Sequence, residues 1–208
     1  MIKTYGLGYL NAWKIILGKE TYMITPAHNL IYKKHNNLQI SHLIRPKDIS
    51  GWNVDKRFVD SNDILYDLAW KKLSWNEPGL YSYPTDLSNI VKCNFYYYQP
   101  YNYKGVLTNE YNIGCIDGYV YKSPEIDYYE SINVGFRGMS GAIVTIPGCN
   151  INNFIGMFIR KCENIGMDLN ASTIKTETNG ISRGLIMPHF IIDNIIKENN
   201  ALSLEFVL

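Results

Sequence analysis

The sequence lacks a charge excess of either sign. Lysine and arginine number 20, aspartate and glutamate 19, and the net charge is +1. Nothing in that balance calls for a nucleic-acid or anionic-membrane partner. Long apolar runs are also missing, and none approaches the roughly 20 residues that cross a bilayer. The opening Met1-Ile2-Lys3-Thr4-Tyr5 has no signal-peptide core. The expectation is an intracellular protein, not secreted by a signal peptide and with no membrane partner. Cysteine is scarce. Cys93, Cys115, Cys149 and Cys162 stand far apart, with no CxxC pair. Their spacing offers no metal site, and free, mostly buried thiols are expected over disulfides. Helical periodicity is missing from the first part of the chain.

What remains is a globular composition. With 208 residues, 46% hydrophobic and 19% charged, the chain can bury a sizeable core as one domain or two sub-domains. Trp13-Lys14-Ile15-Ile16-Leu17 and Thr21-Tyr22-Met23-Ile24-Thr25 are short β-rich runs, closed by Gly18 and Pro26. Cys93 to Tyr98, Tyr103 to Leu107 and Gly118 to Tyr121 read as further strands, with Trp75 to Pro84 as a loop before them. Short strands at close spacing indicate an all-β barrel or sandwich. The many tyrosines could suggest base stacking, but aromatic residues are common in β-cores and the neutral charge opposes it.

Three stretches carry chemistry. Gly138-Met139-Ser140-Gly141 is a tight turn running into the β-branched segment Ala142-Ile143-Val144-Thr145-Ile146. A serine shown on such a turn can act as a nucleophile, and the amides of Gly138 and Ser140 could hold an oxyanion. An ordinary glycine-rich turn is the alternative. His28 follows a strand behind Pro26 and could serve as a general base. A surface or satisfied core histidine is the alternative there, and the reading kept for His35 and His42. Asp67 enters the apolar Leu68-Ala69-Trp70, where a buried carboxylate needs a partner such as a histidine N–H. Asp60 and Asp63 better fit helix-start or turn positions.

Taken together, these stretches resemble the trypsin/chymotrypsin-like serine peptidase family. The order His28, Asp67, Ser140 has gaps of 39 and 73 residues and is the order of the chymotrypsin-type triad. Tyr22 to His28 resembles the family's strand-Thr-Ala-Ala-His motif. Asp67-Leu68-Ala69 resembles its Asp-Ile/Leu-Ala, and Gly138 to Gly141 its Gly-Asp/Asn-Ser-Gly. Gly6 to Leu10 and Gly184-Leu185-Ile186-Met187-Pro188 are similar to the first and last strands of the branch holding the bacterial heat-shock proteases. A short helix follows, at about 188–198, with Ile191, Ile192, Ile195 and Ile196 as its apolar stripe. Met139 departs from the family's acid, so a zymogen ion pair at that position is not expected. Asn29 stands where secreted members have cysteine. The style is that of the non-disulfide, intracellular or viral branches.

The resemblance implies two six-stranded antiparallel β-barrels, residues 1–85 with His28 and Asp67 and residues 86–208 with Ser140, plus the C-terminal helix. It implies a serine endopeptidase with His28, Asp67 and Ser140 catalytic and Gly138 and Ser140 as the oxyanion hole, with no metal or cofactor. A polypeptide substrate would bind in extended form along Phe154, Ile155 and Gly156, with Val134 near the floor of the main specificity pocket and an apolar or small residue preferred there. Two alternatives stay open. One is an α/β-hydrolase using Ser140, Asp168 and His189, which needs a helix after the serine. The other is a catalytically silent fold kept as a structural or protein-binding module, for instance in a virus particle. The oligomeric state is left undetermined.

Overall fold

Runs of β-branched and aromatic residues punctuated by Gly, Pro and Asn become short strands in the computed structural model. It describes residues 1–3, 9–132, 138–148, 152–162, 167–168, 173–174 and 183–207. The first part contains β1 (Ile2–Lys3), β2 (Tyr9–Leu10), β3 (Trp13–Leu17), β4 (Glu20–Thr25), β5 (Ile31–Lys34), β6 (Asn37–Ile40), β7 (Asn53–Asp55), α1 (Lys56–Ser61), β8 (Ala69–Lys72) and β9 (Leu80–Ser82). The second contains β10 (Val91–Tyr103), β11 (Val106–Lys122), β12 (Tyr129–Ile132), β13 (Ile143–Thr145), β14 (Asn153–Phe154), β15 (Gly156–Cys162), β16 (Met167–Asp168), β17 (Thr173–Ile174), β18 (Arg183–Pro188), α2 (His189–Glu198) and β19 (Ala201–Ser203).

The fold is all-β, as expected. β10, β11, β12, β18, β15 and β13 close into a six-stranded antiparallel barrel. Phe95, Val144, Phe158 and Ile186 pack in its apolar cluster. The N-terminal half takes a different form from the second six-stranded barrel expected. Among the described residues it is a seven-stranded sheet in the order β14-β9-β3-β4-β8-β7-β19, beside the β5–β6 hairpin. Two of its strands come from late in the chain. β14 pairs in parallel with β9, and β19 pairs antiparallel with β7. A division at residues 85 and 86 therefore does not separate the two sheets.

Other local expectations shift as well. The loop expected over Trp75 to Pro84 contains β9, which pairs with β3. The strand expected over Tyr103 to Leu107 is split by a two-residue hairpin turn between β10 and β11, Lys104 at φ 49° and Gly105 at φ 83°. Two positive φ values in a two-residue loop match the right-handed twist of the flanking strands. Asp63 caps a 3-10 turn by accepting from the Leu65 amide. The helix expected at 188–198 is α2, with Ile192, Ile195 and Ile196 buried. It shares one core with Ile15, Ile24 and Trp70 of the N-terminal sheet and Ile143, Met157 and Leu185 of the barrel. That shared core fixes the two sheets against each other. At about 25 cal/mol per Å², burial on this scale is the main stabilising term. No helix among the described residues is long and apolar enough to cross a membrane.

Cys93 is free and buried, whereas Cys115 is free but exposed on β11, where alternate side chains face out. Cys149 lies outside the described residues, as does the side chain of Cys162.

Candidate active site

Three backbone devices bring His28, Asp67 and Ser140 to one edge of the junction between the sheets. Pro26 ends β4, because it has no N–H for the ladder, and a single 3-10 turn over Ala27–Asn29 follows. Ala27 is fully buried, so its small side chain seats the turn against the core and leaves the imidazole at the surface of the junction. Asp67 ends the 3-10 turn over Ile64–Tyr66 with φ −75° and ψ 65°. The Leu68 amide donates to the Tyr66 carbonyl at 2.8 Å, an inverse γ-turn that points the chain directly into β8. Ser140 sits in the turn before β13. Gly138 and Gly141 adopt φ of 94° and 92°, which a residue with a Cβ rarely does.

The side chains form one hydrogen-bonded line. His28 Nδ1 is 2.5 Å from Asp67 Oδ2, and His28 Nε2 is 2.9 Å from Ser140 Oγ. The His28 amide donates to Asp67 Oδ1 at 2.9 Å. The Asp67 side chain is fully buried, while that of His28 is 30% exposed. Burial alone would push the Asp67 carboxyl up. The charge and hydrogen bonds of His28, joined by the Arg160 guanidinium, outweigh it and hold the carboxyl below its ordinary value. Asp67 is thus a carboxylate able to fix the imidazole tautomer with its proton on Nδ1. That leaves Nε2 free to accept from the serine hydroxyl.

The turn carrying Ser140 is held by residues that the motif reading passed over. Asn11 is fully buried. Its Nδ2 donates to the carbonyls of Gly138 and Ser140 at 3.0 and 3.1 Å, and its Oδ1 accepts from the Tyr98 amide at 2.7 Å. Trp13 Nε1 donates to the Gly141 carbonyl at 2.8 Å. Asn29 Nδ2 adds a longer bond to the Ser140 carbonyl, at 3.3 Å. With three carbonyls of the turn engaged by side chains, its amides have a fixed orientation. Met139 is fully buried in the barrel cluster, so apolar packing stands where an acid would sit in the family resembled. An Asn at position 11 two residues before a strand gives no local signal. Only its burial with three partners does.

Arg160 was also missed. Its Nη2 lies 3.2 Å from Asp67 Oδ2, the oxygen His28 also uses. The pairing of β15 with β18 slips between Phe158 and Arg160. This is a bulge, the device that re-aims a side chain from its alternating position, and Arg160 is the residue that reaches Asp67.

The residues expected along an extended substrate lie in the core. Phe154 and Ile155 are buried. The Phe154 carbonyl accepts from Tyr83, the Ile155 amide donates to Val144, and the Ile155 carbonyl accepts from His189. A Cβ on Gly156 would lie 2.6 Å from the Met187 carbonyl. These three residues are core, with backbone groups already paired inside the protein. On the β13 side of β15, the described pairing ends with Gly156 and Met157, and Phe158 bonds across to Gly141 and Ala142. Past Phe158, no described strand pairs with that edge. Among the described residues, the unpaired part of that edge is Ile159 to Lys161. Val134 lies outside the described residues.

His189 opens α2, and its Nδ1 is buried with no partner. The residues after Ser140 form strand β13 within the barrel. An α/β-hydrolase needs a helix there, so the grouping of Ser140, Asp168 and His189 is excluded by the fold.

No protein-family model matches the sequence, and no curated protein does. Among solved structures, that of a Glu endopeptidase in complex with MPD is similar at 13% identity and a TM-score of 0.48, over 91% of this chain and 90% of that one. The chemistry open to the site follows from the chain's own residues. A serine hydroxyl on a base, a base on a buried carboxylate, and a turn whose carbonyls are held by side chains suit acyl transfer.

Proposed function

We propose that this chain is a serine endopeptidase that works through Asp67, His28 and Ser140. The observation that carries the reading is the unbroken line from the buried carboxylate through both imidazole nitrogens to the serine oxygen. His28 Nε2 takes the hydroxyl proton as Ser140 Oγ attacks a peptide carbonyl, and then delivers it to the leaving amine. Asp67 holds the Nδ1–H tautomer and stabilises the imidazolium. The amides of Gly138 and Ser140 receive the oxyanion, each such donor being worth roughly 3–4 kcal/mol. Water, activated in turn by His28, hydrolyses the acyl-enzyme. A polypeptide is the substrate, because the open edge of β15 can add an extended strand through main-chain bonds.

One observation favours a second reading, a silent fold that only binds peptides. Arg160 shares Asp67 Oδ2 with His28, and a cation there offsets part of the carboxylate field that stabilises an imidazolium. Labelling of the folded protein by a fluorophosphonate, beside Ser140→Ala and His28→Ala, tests the two readings. Labelling of the native protein that both variants abolish is the expected result. A folded native protein that stays unlabelled from neutral to mildly alkaline pH would overturn the peptidase and leave the binding fold.

A further inference from the structure

Beside His28, away from Ser140, lies a pocket of about 330 Å³ between the β5–β6 hairpin, α1 and Arg160. Its walls are apolar where Ile31, Phe58 and Val59 contribute. Its permanently charged side chains, Lys33 and Arg160, are both cationic. Lys33, Arg160 and the Asn62 amide can donate, and none of the lining residues is acidic. The Lys33 ammonium reaches only a backbone carbonyl, that of Asp60, at 3.2 Å. Arg160 spends Nη2 on Asp67, and its Nε is buried without a partner. Buried donors are normally matched, so the unpartnered Nε leaves the guanidinium of Arg160, a lining residue of the pocket, with donor capacity that no group of the protein uses. Arg160 also belongs to the free edge of β15. A peptide laid along that edge would therefore bring one of its own side chains to this pocket.

We propose that this pocket is a substrate subsite for an acidic side chain, glutamate before all others. The inference rests on the reading of the edge of β15 as the peptide-binding strand. The two methylenes of glutamate lie against the apolar walls, and its carboxylate takes the free donors of Arg160 and Lys33. Aspartate is too short to use both regions. Glutamine keeps the shape but lacks the charge. Charge-assisted bonds are roughly twice as strong as neutral ones, so glutamate should exceed glutamine by about tenfold or more. The advantage should shrink as salt rises, because Lys33 is exposed. Filling the pocket also gives Arg160 a second anion, which draws its charge away from Asp67.

The test is peptide-library selection on immobilised Ser140→Ala protein, with the double variant Lys33→Glu/Ser140→Ala alongside. This reads the pocket whether or not the site is catalytic. The expected result is glutamate enriched at one fixed position, with that preference lost or turned to lysine or arginine in the double variant. Because Lys33 is exposed, the added substitution leaves folding intact, and a thermal melt checks it. Selection of apolar or basic residues, equal selection of glutamine and glutamate, or no positional selection would overturn the subsite. Fluorophosphonate labelling of the native protein reports separately on the peptidase. Labelling without glutamate selection removes the subsite alone. Glutamate selection without labelling removes the peptidase and leaves an acidic-peptide site.

Discussion

Replacing Asn11 with alanine should loosen the Ser140 turn without touching a reacting atom. The substitution removes the donors to the Gly138 and Ser140 carbonyls and the acceptor of the Tyr98 amide. Asn29 still reaches the Ser140 carbonyl at 3.3 Å, so the Gly138 carbonyl and the Tyr98 amide are the two groups left bare. Stranding a buried polar group costs about 1–3 kcal/mol. These two are partly buried, which places their sum near the low end, about 2–3 kcal/mol. For a chain of this size that lowers the melting temperature by roughly 5–10 °C. Losing an oxyanion donor outright costs about 10²–10³ in rate. A displaced donor costs less, so fluorophosphonate labelling should slow on the order of 10- to 100-fold. Asn11→Asp supplies the control. It keeps the shape but turns a carboxylate oxygen on two carbonyls, so at neutral pH it should label more slowly than Asn11→Ala. As pH falls the neutral acid can donate, and the stability gap from the native protein should narrow. Stopped labelling reactions read by in-gel fluorescence, with thermal melts in parallel, measure both effects. Undiminished labelling in an Asn11→Ala protein that melts early would refute the positioning role.

Asp67→Asn should slow Ser140 labelling on the order of 10³–10⁴-fold, because the amide favours the wrong imidazole tautomer; native-like rates would remove Asp67 from the mechanism. The same variant should change acid stability. A carboxyl held below its ordinary value stabilises the fold above the unfolded value of about 3.9, and that contribution is lost as pH falls through the lower folded value. The acid limb of urea-derived stability should therefore be shallower in Asp67→Asn, and parallel limbs would contradict the assignment. Gly141→Ala places a Cβ 2.5 Å from the Asn11 carbonyl at φ 92°, so it should abolish labelling and lower the melting temperature; a native-like variant would show that the turn does not need this geometry. Burial pushes the Cys93 thiol up to about 12, while Cys115 is exposed. Brief iodoacetamide treatment of native protein should modify Cys115 and spare Cys93 by peptide mass analysis, and equal modification would place Cys93 at the surface.

The all-β class, the C-terminal helix and the residues of the site were legible in the chain because each has a local signature. Strands of period two end at Gly and Pro, a stripe of isoleucines marks α2, and the motifs around His28, Asp67 and Ser140 span a few residues each. Tertiary structure alone decided what those motifs rest on. Asn11 and the Ser140 turn lie 129 residues apart, and Arg160 and Asp67 lie 93 apart. No periodicity encodes a hydrogen bond over such a distance. Pairing with β9, β13 and α2 uses up Phe154–Gly156 and leaves Ile159–Lys161 without a described partner strand on the β13 side, and a strand's sequence does not reveal which of its edges stays open. The N-terminal barrel became a seven-stranded sheet because β14 and β19 return to it from the other half of the chain. Local residue order specifies elements and reactive groups. Long-range packing decides which polar groups are satisfied, and so which are left to meet a substrate.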